Sequence, residues 1–262
     1  VLAMLSEVPD VWQRLREEAE CRCVLLGTPL NGTYTAVQLL SGQHRLLSLL
    51  NLLDGKLDIR EGANLVAQFA GYPGVLELLP PEYLQEDPWQ ALLGERFANW
   101  SGRELLANAQ QVREQLSKVD LDAQRFLYVH GRASLTPNGL KQRDDSWQFS
   151  ASAEGDSVTL WNSVAVGLPA WYMPVEHGRM ASHPDYFQTI QYLLDDGVAR
   201  QLEQSPPFVG NTGELWLPVI RTELFPDADE LVAAALGYHT RLTQEEVRPA
   251  VEIRVWHGNL GY

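Results

Sequence analysis

Three short apolar runs constrain this chain more than any other feature. Val24-Leu25-Leu26 ends at Gly27-Thr28-Pro29. Arg125-Phe126-Leu127-Tyr128-Val129 ends at His130-Gly131. Pro169-Ala170-Trp171-Tyr172-Met173-Pro174-Val175 leads into Glu176-His177-Gly178. Unbroken apolar runs of this length are the mark of strands buried on both faces, and such strands lie in parallel sheets covered by helices. The runs are separated by long stretches, as parallel strands require. The fold class read from this pattern is α/β.

The intervening stretches read as helix. Residues 2–19 carry a rough stripe of Leu2, Leu5, Val8, Val11 and Leu15, with Pro9 interrupting it. Residues 34–54 are dense in leucine. From about 60 to 118 the pattern is helical throughout, punctuated by Gly71-Tyr72-Pro73-Gly74 and Leu79-Pro80-Pro81, and Ser101 with Glu104 forms a capping-box pattern. Residues 132–155 are polar, with a hairpin expected around Asp144-Asp145. Residues 184–203 read as a helix with Phe187, Ile190, Leu193 and Leu194 on one face. After Glu203 the character changes: Ser205-Pro206-Pro207 breaks the chain, residues 226–237 look helical, and Val251–Trp256 alternates like a strand. Residues 1–203 are therefore read as one α/β unit and 204–262 as a linker and the start of a further, covalently linked module.

Composition excludes some roles. The net charge is −14, and a surface so acidic lacks the basic footprint that nucleic acid needs. No run of about 18 or more apolar residues is present, so no transmembrane segment is expected. No signal peptide is legible. The start at Val1, inside a helical pattern, reads as a piece of something longer. The two cysteines, Cys21 and Cys23, stand in one strand and read as small apolar residues. Their low number fits a reducing, cytoplasmic setting.

The chemistry points to two loops. Gly155-Asp156-Ser157-Val158-Thr159 puts a carboxylate in a glycine-flanked turn, and Glu176-His177-Gly178 puts an imidazole just past a strand. An acid followed by a strand and then a histidine is the order of the last two members of a serine hydrolase triad. There the carboxylate fixes the imidazole tautomer so that Nε2 can take the serine proton. Taken alone, Asp156 also suits an ordinary Asx turn and His177 an ordinary loop. His183, in Ser182-His183-Pro184-Asp185, is a rival base that reads better as a capped helix start. His130 and His257 read as structural. Ser134, Ser150, Ser152 and Ser163 have no nucleophile-elbow context. No metal signature is present, and no cofactor is expected.

Four segments together resemble one family. The Gly155–Thr159 loop looks like the G-D-G-T-V acid loop of the lecithin:cholesterol acyltransferase-like lipases of the α/β-hydrolase superfamily. Trp171-Tyr172 through Gly178 looks like their histidine loop. Val24–Pro29 with Asn31-Gly32-Thr33 resembles the strand and loop that follow their nucleophile helix. Phe69–Pro80, ending Leu76-Glu77-Leu78-Leu79-Pro80, resembles their lid motif. The resemblance covers roughly residues 1–200. It implies the C-terminal part of an α/β-hydrolase sheet with a helical lid insertion at about 60–118. It also implies Asp156 as triad acid, His177 as triad base, and hydrolysis or transfer of an acyl group from a hydrophobic, lipid-like ester. The chain departs from the pattern at Ser157, where the family has glycine, and at Leu160, where it often has proline. No G-x-S-x-G occurs, so the resemblance puts the nucleophilic serine upstream of Val1. The competing expectation is a catalytically inactive hydrolase fold that serves as a scaffold in a multidomain protein. An amidase or peptidase on the same triad is a third.

Overall fold

The computed structural model describes residues 7–18, 20–44, 46–47, 59–143, 146–164, 167–210 and 215–217. Helix α1 (Pro9–Glu17) precedes strand β1 (Cys23–Leu26). Helices α2 (Tyr34–Leu40), α3 (Ile59–Ala70), α4 (Pro73–Leu76), α5 (Glu86–Leu93) and α6 (Leu106–Leu116) follow, with short 3-10 turns between the later ones. Strand β2 (Phe126–His130) then leads into a hairpin of β3 (Thr136–Arg143) and β4 (Ser146–Ser152). Strand β5 (Ala170–Tyr172), helix α7 (Phe187–Asp196) and strand β6 (Leu215–Trp216) complete the described elements. The chain is thus mixed α/β.

The three apolar runs form one parallel sheet in the order β1-β2-β5. Strand β2 is central and every one of its residues is buried, which is why its sequence does not alternate. Leu127 and Val129 face one side, where Trp171, Met173 and Leu193 complete a core under α7. Phe126 and Tyr128 face the other, with Leu25 and with Trp12 of α1, whose ring lies 5.2 Å from that of Phe126. A second sheet is antiparallel, in the order β3-β4-β6. It packs through Phe149 onto a helical core containing Leu40, Leu76, Leu79, Trp89 and Leu106.

Several expectations change. Pro9 breaks the helical pattern as expected, and it also begins a helix: Glu7 is helical, Val8 is not, and Pro9 takes the first position of α1, where its missing N–H costs nothing. The helix expected over 34–54 ends at Leu40, and residues 48–54 lie outside the described residues. Ser101 caps no helix: its hydroxyl donates to the Ala67 carbonyl at 2.8 Å, a tertiary bond that outcompetes the local one. The helix expected to reach 203 stops at Asp196, where Gly197 turns left-handed (φ 75°) and Arg22 donates to the Leu194 and Asp195 carbonyls. Its buried side carries Thr189 and Leu193, while Phe187 and Leu194 stand 53% and 38% exposed. Past Glu203, strand β6 pairs with β4 through Ser150–Trp216 and Ala151–Leu215. The helix expected at 226–237, the strand at 251–256 and His257 lie outside the described residues.

Candidate active site

In a parallel sheet the C-terminal ends of all strands open on the same side, and loops leaving that edge converge there. Three do so here. Gly27 follows β1, Asp156 lies in the loop reached from β2 after the hairpin, and His177 follows β5. The ladder of β1 and β2 runs to this edge, where the Gly27 N–H donates to the Val129 carbonyl at 2.8 Å.

Asp156 and His177 meet. His177 Nδ1 is 2.9 Å from Asp156 Oδ2, and the His177 backbone N–H donates to the Asp156 carbonyl, also at 2.9 Å. Two bonds therefore fix the imidazole relative to the acid. Asp156 is 1% exposed, so its carboxylate has to be satisfied internally. Its Oδ1 accepts from the backbone N–H of Val158 at 3.0 Å and of Thr159 at 2.6 Å, leaving Oδ2 for the histidine. A carboxylate only accepts. Nδ1 therefore carries the hydrogen, and the Nε2 lone pair is left to act as a base. The His177 side chain keeps 31% of its exposure. Among the described residues no serine, threonine or cysteine hydroxyl or thiol bonds to the ring.

The acid loop is built from threonines. Thr159 Oγ1 donates to the Gly27 carbonyl at 2.7 Å, and Thr136 Oγ1, from the start of β3, accepts the Ser157 N–H at 2.9 Å. Thr33 Oγ1 donates to the Val158 carbonyl. Ser157 sits at φ 84°, the only non-glycine with positive φ among the described residues. That backbone is costly for a residue with a Cβ, and it persists only where the surroundings over-determine it.

The other candidates separate from this pair. His183 heads a 3-10 turn without a side-chain cap bond, and its Nδ1 is 3.9 Å from Asp185, beyond hydrogen-bond range. His130 is buried in a cluster of rings, 4.9 Å from Tyr172 in a stacked pair, 4.6 Å from Tyr128 and 6.5 Å from Trp161. Burial pushes its imidazole down to about 4, against the opposing pull of the Asp156 charge. Tyr128 is pushed up by burial and by the same carboxylate. Ser150 is buried in β4, Ser152 Oγ accepts from the Glu154 N–H, and Ser163 Oγ donates to Leu160. The described residues hold no group of three or more His, Cys, Asp or Glu able to bind a metal ion. Nor do they include a helix long and apolar enough to cross a membrane.

Sequence reasoning gave roles to Asp156 and His177; Gly27, Thr33 and Thr159 stood in the quoted motifs without a role of their own, and Thr136 was not singled out. Of these only Thr33 carried a local signal, as a threonine just before a helix.

Comparisons with family models, curated proteins and solved structures gave no match.

Proposed function

We propose that this chain supplies the acid and the base of a serine-dependent hydrolase or acyltransferase acting on a hydrophobic, lipid-like ester. On this reading the parallel sheet is the C-terminal part of an α/β-hydrolase sheet, and residues 60–118 or so are its helical lid. The nucleophilic serine lies N-terminal to the present sequence. The observation that carries the reading is the 2.9 Å contact between a buried carboxylate and a partly exposed imidazole at the C-terminal edge of a parallel sheet. A cytoplasmic location, suggested by the sparse and unpaired cysteines, is part of the same reading.

The chemistry follows from the tautomer. Nε2 removes the serine proton as Oγ attacks the ester carbonyl, and Asp156 stabilises the imidazolium that forms. The imidazolium returns the proton to the departing alkoxide, leaving an acyl-enzyme. Water or an acceptor alcohol then attacks, giving its proton to Nε2, and the serine leaves with that proton restored. The helical region is tied to the segment that touches the acid loop by the Thr33 N–H, which donates to the Leu78 carbonyl at 2.8 Å.

Fluorophosphonate labelling of the full-length protein tests this. The wild type should label at a serine, His177→Ala should abolish labelling, and Asp156→Asn should slow it by roughly 10⁴-fold. A wild type that does not label points instead to a scaffolding role for the fold. Ester and amide substrates of equal chain length distinguish an esterase from an amidase.

A further inference from the structure

We propose that Thr33 is a positioning residue for Asp156, joining the helical region to the acid loop through one hydroxyl. The inference rests on reading Asp156 and His177 as the acid–base pair.

Thr33 has extended backbone (φ −146°, ψ 139°) and caps α2 by accepting the Thr35 N–H at 3.1 Å. An N-cap hydroxyl also has a hydrogen to donate, and here it goes to the Val158 carbonyl. Val158 in turn gives its N–H to Asp156 Oδ1 at 3.0 Å. Both backbone polar groups of Val158 are thus committed, one to the catalytic carboxylate and one to Thr33. Thr33 is itself held through both its backbone and its side chain. It is 5% exposed and its N–H donates to the Leu78 carbonyl at 2.8 Å. Next to it Gly32 (φ +84°) lies against the helical region so closely that a Cβ would stand 2.3 Å from the Leu79 carbonyl oxygen. The Arg113 guanidinium clamps the same junction, donating to the carbonyls of Leu30, Glu77 and Leu79.

The acid loop needs such a hold. Ser157 is in a backbone region that residues with a Cβ rarely adopt. Without the bond from Thr33, the peptide after Val158 is free to rotate toward a commoner conformation. That rotation carries with it the Thr159 N–H, which shares a peptide with the Val158 carbonyl, takes it off Oδ1, 2.6 Å away, and lets the carboxylate turn away from His177.

The test uses the far-downfield Nδ1–H proton resonance of His177, which reports the bond to Asp156 whether or not the protein is an enzyme. Thr33→Val keeps the shape and removes the hydroxyl, Thr33→Ser restores it, and Val37→Ala loosens the buried face of α2 while leaving the Thr33 hydroxyl intact. The expected result is a resonance lost or moved upfield in Thr33→Val alone, present in Thr33→Ser and Val37→Ala. Fluorophosphonate labelling should fall by up to about 100-fold in Thr33→Val, with recovery in Thr33→Ser. An unchanged resonance in Thr33→Val overturns the proposal, as does equal loss in Val37→Ala, which would mark a general loosening. A resonance that responds as expected in a protein that never labels leaves the role of Thr33 standing and removes the hydrolase reading. If Thr33→Val does not fold, Thr33→Ala takes its place under the same criteria.

Discussion

A side chain on Gly27 would run into Asp156: a Cβ there would stand 2.5 Å from Oδ2 and 2.8 Å from His177 Nδ1. The glycine is also left-handed, at φ +57°. Gly27→Ala therefore has to push the acid and the histidine apart or shift the end of β1. We predict loss of the His177 Nδ1–H resonance and a fall in labelling of about 100-fold or more. Retention of both would mean that the pair tolerates a displacement its geometry does not allow.

Ser157→Gly should stabilise the protein. Glycine removes the left-handed penalty of about 1–2 kcal/mol, offset in part by the added freedom of the unfolded chain. The net expectation is about 1 kcal/mol, read as a rise of about 2–4 °C in Tm. The Ser157 N–H bond to Thr136 is made by backbone and survives the change. A lower Tm would show that the serine side chain contributes more than its backbone costs.

His130 gives the fold an acid-sensitive point. Its imidazole takes a proton near 6.5 when unfolded and only near 4 when buried. Between these values the unfolded state binds more protons, so stability is complete above about 6.5 and declines as pH falls toward 4. The size is on the order of 3 kcal/mol. His130→Phe keeps an aromatic ring in the cluster with Tyr172 and Tyr128 and removes the titration. Urea melts at pH 7 and pH 4 should show the wild type losing about that much more than the variant. Parallel losses would exclude His130 as the cause.

Arg113 donates to three backbone carbonyls, those of Leu30, Glu77 and Leu79, and burial draws its own pKa down. Arg113→Met should cost about 2–4 kcal/mol, because orphaned polar groups lose more than the bonds themselves gain. Arg113→Lys should fall in between, since an ammonium cannot reproduce the planar fork. Denaturant melts of the three proteins give the ranking directly.

The sequence made some of this legible for physical reasons that can be named. Phe126–His130 read as a buried strand because both faces of β2 are covered, which removes the alternation of a half-exposed strand. Asp156 and His177 could be picked out because each stands in a glycine-flanked loop, and His177 directly follows an apolar run. Phe187 and Leu194 misled because helical spacing identifies a stripe but not its width, and α7 buries only the narrow side around Thr189 and Leu193. Ser101 misled because a capping pattern says nothing of a distant carbonyl such as that of Ala67. The bonds of Thr33 to Val158 and of Thr159 to Gly27 join parts of the chain far apart in sequence, and no local pattern encodes them.

Between β2 and Asp156 the chain makes a detour through the β3–β4 hairpin, yet it departs and returns at nearly the same spot: the Ala133 N–H donates to the Gly155 carbonyl at 2.8 Å. A loop closed at its base in this way is a cassette. Doubling its length costs only about 0.6 kcal/mol in closure entropy, so the hairpin can be shortened, lengthened or exchanged without moving the acid. A replacement has to keep three tethers: Thr136, which receives the Ser157 N–H, Phe149, which fills the helical core, and the edge of β4 that pairs with β6. Within those limits this excursion is where the protein can acquire new sequence at least risk to the residues around Asp156.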